Sequence, residues 1–402
     1  MASAVIVALV TGLAMLLLAF RRRLVPQEGY PVTVNGALHL SARRGQSLLD
    51  VLHGQGIGIP AACGGKGTCG LCRVTVSGEG AGAPQATERA MLSAKERREG
   101  LRLACQTAVR GACAVQVRDD LLDAGGGILG LVSSTRMLAP LIREIVVDLP
   151  EDQALRFRAG DFMQITAPPF RLDFTKVDLP GAFAEAWEIA EWRTMKVASG
   201  SAVTRAYSLA NRPEDQGKAV FNIRLAVPPA GREHDVPPGI VSSWLFSLAP
   251  GDAVTLSGPF GDFHVQETGR EMIYIGGGVG MAPLRAMIHQ ELGSGSRRRI
   301  RYFYGARSLA DLYYAEEFET LAARHATFSW TPALSDPAPG DRWTGAYGFV
   351  HEILLRDLDA HPAPEACEYY LCGPPVMISA VLSTLAKLGV EPASIFYDDF
   401  GG

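Results

Sequence analysis

Surplus positive charge, paired cysteines and catalytic dyads are all missing from this chain, and each absence closes off a class of function. Across 402 residues, 38 Lys and Arg stand against 42 Asp and Glu, a formal net charge of −4. That balance argues against nucleic acid as a partner. Of seven cysteines, Cys113, Cys367 and Cys372 are not spaced for a second metal cluster. The other four form a metal-binding run, beside which a disulfide framework is out of place. No constellation of acid, base and nucleophile stands out, so the chemistry has to come from bound groups. Residues 2–20 lack charge altogether and are followed at once by Arg21, Arg22 and Arg23. At 1.5 Å per residue they reach about 28 Å, enough to span a hydrocarbon core. A secretory signal would carry positive charge before the run and an A-x-A site after it, and has neither here. The expectation is a single-pass transmembrane anchor over residues 1–24, its N-terminus outside and everything after Arg23 in the cytoplasm. Ser3 and Thr11 are the only polar side chains in residues 2–20 and neither is charged, so the span offers no ion path.

Cys63, Cys69 and Cys72 make a C-x5-C-x2-C run, closed by Cys105, with glycines at 64, 65, 67 and 70. Thiolates are soft, charged donors to iron, and a loop this tight needs glycine for positive φ and close backbone approach. The pattern reads as a 2Fe-2S site. Zinc is the competing metal, but a structural zinc site usually shows two separated C-x2-C knuckles. Cys113 and Cys367 read as buried free thiols.

Residues 30–117 show short alternating strands, a helix (SLLDVLHGQG), the cysteine loop, and strands around Cys105. A helix on a small mixed sheet is the β-grasp arrangement. Residues 119–130, with GGG at 125–127, read as a linker. About 130 residues of β-branched strands follow, an expected antiparallel barrel. Within them, alternation sets Arg205 and Tyr207 on one strand face and Ser208 on the other. Arg suits a pyrophosphate and Tyr offers an aromatic face to a flavin or ribose. Gly239, Ser242 and Ser243 open an apolar helical run, either an anion site for a diphosphate or a plain serine N-cap.

The remainder alternates strand and helix. Glu271 begins an apolar strand that runs into Gly276, Gly277, Gly278, Gly280 and Pro283, with a helix expected from Leu284 onward. That context suits a nucleotide-binding loop. Strands are also expected over 299–304 and 368–372, the second ending in Cys372, Gly373, Pro374 and Pro375. Strand ends in a parallel sheet face the ligand crevice, so Cys372 and Gly373 are expected beside a nicotinamide, unless Cys372 is merely buried before a turn. Phe400, in the tail YDDFGG, either covers a flavin ring or plugs an apolar surface.

R-x-Y-S, G-x-x-S, GGG-x-G-x-A-P and CGPP in this order resemble the ferredoxin reductase superfamily. With the N-terminal cysteine module, the anchor, the long segment 168–204 and the tail DDFGG, the whole chain resembles the family of F subunits of bacterial Na⁺-translocating NADH:quinone reductases. The resemblance implies a multidomain α+β and α/β fold. Its parts would be an anchor (1–24), a 2Fe-2S ferredoxin domain (25–122), an FAD-binding barrel (123–264) and an NADH-binding domain (265–402). It implies Cys63, Cys69, Cys72 and Cys105 as cluster ligands, and Arg205, Tyr207, Ser208, Gly239, Ser242 and Ser243 around FAD. Gly276, Gly277, Gly278, Gly280, Pro283, Cys372, Gly373 and Pro374 would surround NADH, with Phe400 against the flavin. Ser208, Cys372 and Phe400 are the residues expected at the reacting atoms. The implied activity is hydride transfer from NADH to FAD, then single electrons to the cluster and on to sibling membrane subunits and quinone at the bacterial inner membrane. Lys66 and Leu71 depart from the family's loop, and Lys66 should raise the cluster potential. Arg307, just after the strand ending at Gly305, could meet a 2′-phosphate, but the resemblance points to NADH. The rival from the same superfamily is the reductase component of a multicomponent oxygenase, and the rival from another class is a membrane-tethered redox sensor.

Overall fold

The structure is a computed structural model, and it describes Gly12 and residues 29–61, 63–122, 127–153, 155–229, 231–232 and 235–399. The expected anchor at 1–24 and Phe400 lie outside the described residues. Among the described residues no helix is long and apolar enough to cross a membrane. The chain divides into two compact units, Met1–Ile59 with Gly65–Asp123, and Pro60–Gly64 with Ala124–Gly402.

In the first unit, β1 (Tyr30–Val34), β2 (Leu38–Ala42), β3 (Arg73–Ser77), β4 (Leu101–Leu103) and β5 (Cys113–Gln116) form one sheet in the order β2-β1-β5-β3-β4. Only β1 and β5 run parallel. Helix α1 (Leu48–His53) starts at Ser47, whose hydroxyl accepts from Asp50 N, and buries Leu48, Leu49, Val51 and Leu52. This is the expected helix on a mixed sheet. Two short helices, α2 (Ala86–Met91) and α3 (Ala94–Arg98), lie between β3 and β4.

The second unit opens with β6 (Ile128–Ala139), β7 (Ile142–Asp148) and β8 (Phe162–Ala167). The hairpin of β9 (Phe170–Asp173) and β10 (Lys196–Ser199) encloses α4 (Gly181–Ile189). Then come β11 (Val203–Ser208), β12 (Lys218–Arg224), α5 (Ile240–Phe246) and β13 (Ala253–Phe260). Six of these strands make an antiparallel sheet in the order β11-β8-β13-β6-β7-β12. The expected barrel is not closed. Its two edge strands meet only through an isolated bridge, Leu209 to Phe221. The reason is local: the Asn211 side chain donates to Lys218 O at 3.0 Å and accepts from Val220 N at 2.9 Å, occupying backbone groups that a closing strand would pair.

The long segment 168–204 is folded in its own right. Trp187 of α4 is fully buried, packs against Phe174, Trp192 and Phe246, and donates its indole N–H to Pro140 O at 2.6 Å. The insert thereby braces the far end of α5.

The same unit ends in a parallel sheet, β17-β16-β15-β14-β18-β19, built from β14 (Met272–Gly277), β15 (Ile300–Ala306), β16 (Phe328–Leu334), β17 (Ala346–Tyr347), β18 (Glu368–Gly373) and β19 (Ile395–Asp399). Helices α6 (Met281–Gly293) and α7 (Ala315–Arg324) share one core with Met272 and Tyr274. Helices α8 (Val350–Leu358) and α9 (Pro375–Lys387) share another with Ile273 and Ile275. A strand buried on both faces must be apolar throughout, which is why MIYI is continuous rather than alternating.

Candidate functional site

Cys69 and Cys105 are half-buried, and Cys72 is buried. Cys72 Sγ and Cys105 Sγ lie 3.2 Å apart. The hydrogen bond with Cys105, then burial, pushes the Cys72 thiol far up. Thiols crowded so closely shed their protons only for a cation that replaces the charge, so the donor set fits a thiolate-bound metal. Gly64, Gly65, Gly67 and Gly70 all have positive φ, from 63° to 88°, as the loop reading requires. Cys63 lies in the turn beginning at Ala61, whose carbonyl accepts from Gly64 N at 2.9 Å.

Behind the loop, buried Glu88 takes both oxygens to Arg102, at 2.8 and 3.0 Å, and accepts from Leu103 N at 3.1 Å. This pair ties α2 to the strand that leads into Cys105. Burial alone would raise the Glu88 carboxyl, but the bonds from Arg102 and the backbone outweigh it and hold the group low. Cys113 is a buried thiol raised by burial.

Strand β11 pairs with β8 so that Arg205 faces Ile165, Ala206 faces Gln164, Tyr207 faces Met163 and Ser208 faces Phe162. Residues directly opposite share a face. Arg205 and Tyr207 therefore lie on one face, and Ser208 and Gln164 on the other. Ser208 Oγ and Gln164 Nε2 are buried, and neither has a hydrogen-bond partner. Tyr207 packs against the core of the sheet, and burial pushes its phenol up. Arg205 donates to Thr204 O at 2.7 Å.

The two serines of α5 differ. Ser242 Oγ is spoken for, donating to Gly239 O at 3.2 Å and accepting from Ala226 N at 3.3 Å. Ser243 Oγ is fully buried without a partner. Unmet buried hydroxyl and amide groups cost roughly 1–3 kcal/mol each, which makes Ser208, Gln164 and Ser243 candidates to receive a polar ligand. Gln164 was missed in the sequence; its only signal is an amide inside the apolar strand FMQITA.

In the parallel sheet, Gly276 is in register with Cys372 and with Tyr304. The Gly-rich turn and CGPP thus meet at the C-terminal strand ends. A Cβ on Gly280 would fall 1.9 Å from Cys372 O, and one on Gly277 would fall 2.7 Å from Met377 Sδ. Gly280 is required because backbones cross there, whereas at Gly277 the neighbour is the Met377 side chain. Helix α6 begins at Met281, three residues before Leu284, with Pro283 in its first turn where no amide bond is lost. Two tyrosine hydroxyls hold the turn: Tyr304 and Tyr313 donate to Gly278 O at 3.0 and 2.8 Å. Neither was visible in the sequence as a site residue. Cys372 is fully buried, and Gly373 pairs with Asp399 at the end of β19. Arg307 is exposed and lies 3.5 Å from Asp311.

Arg285 of α6 joins the two halves of this unit. It donates to both oxygens of Glu317, at 2.7 and 3.0 Å, and to Ala210 O at 2.7 Å, two residues beyond Ser208. His289 lies 2.6 Å from Glu317. Glu271, His361 and Cys367 bring one ligand atom each within 4.8 Å. They do not make a metal site, because Ala363 N donates to His361 Nδ1 at 3.2 Å, leaving the ring proton on Nε2, aimed at Glu271. Burial pushes the Cys367 thiol up to about 11.

Three family models match the chain: a 2Fe-2S iron-sulfur cluster binding domain at residues 32–110, an oxidoreductase FAD-binding domain at 189–265 and an oxidoreductase NAD-binding domain at 274–383. The F subunit of the Na(+)-translocating NADH-quinone reductase of Serratia proteamaculans is 43% identical over 404 residues, covering 98% of both chains. The chain belongs to the family of these F subunits. The F subunit of the same reductase in Methylococcus capsulatus is 42% identical, over 98% of this chain and 97% of that one. Among solved structures, an Amycolatopsis cytochrome P450 reductase covers 92% of this chain and 98% of its own at 27% identity and a TM-score of 0.62. A ferredoxin reductase in carbazole 1,9a-dioxygenase shares the fold at 24% identity and a TM-score of 0.58, over 92% of this chain and 98% of its own. The cofactor set of this family member is FAD and a 2Fe-2S cluster, with NADH as donor.

Proposed function

We propose that this chain is the electron-entry subunit of a Na⁺-translocating NADH:quinone reductase, passing electrons from NADH to sibling membrane subunits and ultimately to quinone. The observation that carries this reading is the match to the curated F subunits along 98% of the sequence. When bound, FAD turns a two-electron donor into one-electron traffic and the 2Fe-2S cluster carries single electrons onward. Residues 25–122, 123–264 and 265–402 are the working modules for cluster, flavin and nucleotide.

Within them the chain's own task is to position. Cys63, Cys69, Cys72 and Cys105 hold the cluster. Arg205, Tyr207, Ser208 and Gln164 receive the flavin, with Ser243 and Gly239 at the start of α5. Gly276, Gly277, Gly278, Gly280 and Pro283 let a dinucleotide approach the backbone beside Cys372, Gly373 and Pro374. Phe400 is assigned to the flavin face, which it would cover until nicotinamide takes its place. Residues 1–24 anchor the protein in the bacterial inner membrane. Sodium movement belongs to the assembled complex, since one uncharged span offers no path for it.

The test is anaerobic titration of the full-length chain with NADH, followed by visible absorption, beside Cys69→Ala. Bleaching of flavin and cluster bands in the parent, and of flavin alone in the variant, is the expected result. A parent protein that NADH leaves oxidised would sink the reading. The likeness to the P450 reductase favours one second reading, the reductase component of an oxygenase. Co-purification of the chain with a hydroxylase rather than with membrane subunits would establish it.

A further inference from the structure

One side chain beside the cysteine loop faces a sulfur without being a ligand itself. Gln106 sits next to Cys105, with its amide spread over three partners: Gly65 O at 3.2 Å, Cys105 Sγ at 3.4 Å and Thr87 Oγ1 at 2.9 Å. The orientation of the amide follows from the chemistry. Gly65 O can only accept, so the end facing it is the NH2 group, and the carbonyl end takes the Thr87 hydroxyl. One N–H is then spent on Gly65 and the other points at the Cys105 sulfur.

The residue is held through its backbone as well: Gln85 Nε2 donates to the Gln106 main-chain carbonyl at 2.7 Å. Thr87 is followed in α2 by Glu88, which the buried pair with Arg102 locks onto the strand before Cys105. Arg102, Glu88, Thr87 and Gln106 thus form a chain of contacts ending on a ligand sulfur.

We infer that Gln106 tunes the reduction potential of the cluster by donating a side-chain hydrogen bond to Cys105 Sγ, with Thr87 as the residue that positions it. This rests on the 2Fe-2S reading of the four cysteines. Reduction adds one electron to the cluster and its sulfurs. A donor aimed at one of those sulfurs stabilises the more negative state and raises the potential. Gln106 also staples Gly65 to Cys105, which limits how far the loop shifts between the two states.

The experiment is a redox titration of the full-length, cluster-loaded chain, read by the electron paramagnetic resonance of the reduced cluster, with the flavin midpoint as internal control. Gln106→Met keeps length and volume but has no donor. Gln106→Glu keeps the shape and replaces the donor by an anion. Thr87→Val leaves the donor and frees it to turn away. Loss of one charge-assisted hydrogen bond corresponds to about a tenfold fall in the reduction equilibrium constant, ~59 mV for one electron. The expected order of midpoints is parent, then Thr87→Val, then Gln106→Met, then Gln106→Glu lowest, with the flavin midpoint unmoved. Parental midpoints in loaded Gln106→Met and Gln106→Glu would overturn the inference. If neither loads, Thr87→Val decides: a lowered midpoint supports the role and an unchanged one overturns it. A parent without iron and acid-labile sulfide would instead remove the cluster reading itself, a failure that metal analysis distinguishes before any titration.

Discussion

Replacing Gly280 by alanine sets two opposing effects against each other, and their sizes decide the sign. Gly280 has φ −61° and ψ −11°, a helical conformation that alanine adopts without strain. Taken alone, the change would stabilise by roughly 0.4–1 kcal/mol, through a less flexible unfolded chain. The added Cβ, however, would stand 1.9 Å from Cys372 O, 2.2 Å from its carbonyl carbon and 2.6 Å from Gly373 N. These are backbone atoms of a central strand, so no rotamer change relieves the overlap. Overpacking of this kind costs about 1–3 kcal/mol, and more when backbone has to move. The net expectation is a loss of about 2 kcal/mol, which at about 2–4 °C per kcal/mol for a unit of this size lowers Tm by about 4–8 °C. Because the displaced segment is the meeting point of the Gly-rich turn and CGPP, NADH-driven bleaching of the flavin should fall as well. Gly278→Ala is the control: its φ is +54° and nothing lies within 4 Å of the new methyl. It should cost only about 1 kcal/mol, from the left-handed backbone. A Gly280→Ala protein that melts at or above the parent, or that loses less than Gly278→Ala, would refute the crossing of backbones as the reason for this glycine.

Three further outcomes are expected. Burial raises the Glu317 carboxyl, but the hydrogen bonds of His289 and Arg285 and the charge of Arg285 outweigh it and hold it at about 2. A folded value below the unfolded ~4.3 means stability that is fully present above pH ~4.3 and lost as pH falls toward 2, about 3 kcal/mol in all; thermal melts from pH 7 to 2.5 should show it, and Glu317→Gln should flatten that limb. Arg285→Met leaves the Glu317 carboxylate with His289 alone and takes the donor from Ala210 O, and should cost about 2–3 kcal/mol at pH 7 by the same melts. Ser208→Ala removes a buried hydroxyl that has no partner, so the FAD-free protein should gain up to about 1 kcal/mol while equilibrium dialysis shows FAD bound about tenfold more weakly.

What could be read from the sequence was whatever is local in the chain. The cysteine loop announces itself because three of the four expected ligands and the permissive glycines lie within ten residues, and the nucleotide turn because a strand, a glycine run and a helix follow one another directly. The sheet around Arg205 was legible as antiparallel strands but not in its closure, since closure depends on the side chain of Asn211 reaching Lys218 and Val220. The segment 168–204 was visible as an excess of length. That it folds around Trp187 and braces α5 depends on Phe174, Trp192 and Phe246, which no spacing rule connects.

The same division explains why the sequence offers ligand-holding residues but no catalytic dyad. The large displacements of protonation behaviour outside the cysteine loop come from burial or pairing: Tyr207, Tyr274, Tyr302 and Tyr313 are raised by burial, and Glu317 is lowered in its pair. Ser208 on β11, Gln164 on β8, Ser243 on α5 and the glycines at the ends of the parallel strands exchange no proton near neutral pH. On the proposed function, a site lined this way would contribute by placing two rings against each other and keeping water from between them, not by moving protons. Arg285 fits that demand. By gripping Ala210 O from α6, it fixes the helix behind the Gly-rich turn relative to the strand that presents Ser208. Chemistry that depends on the distance between two bound groups needs such a strut, and a residue whose role is to set a distance leaves no motif in the sequence.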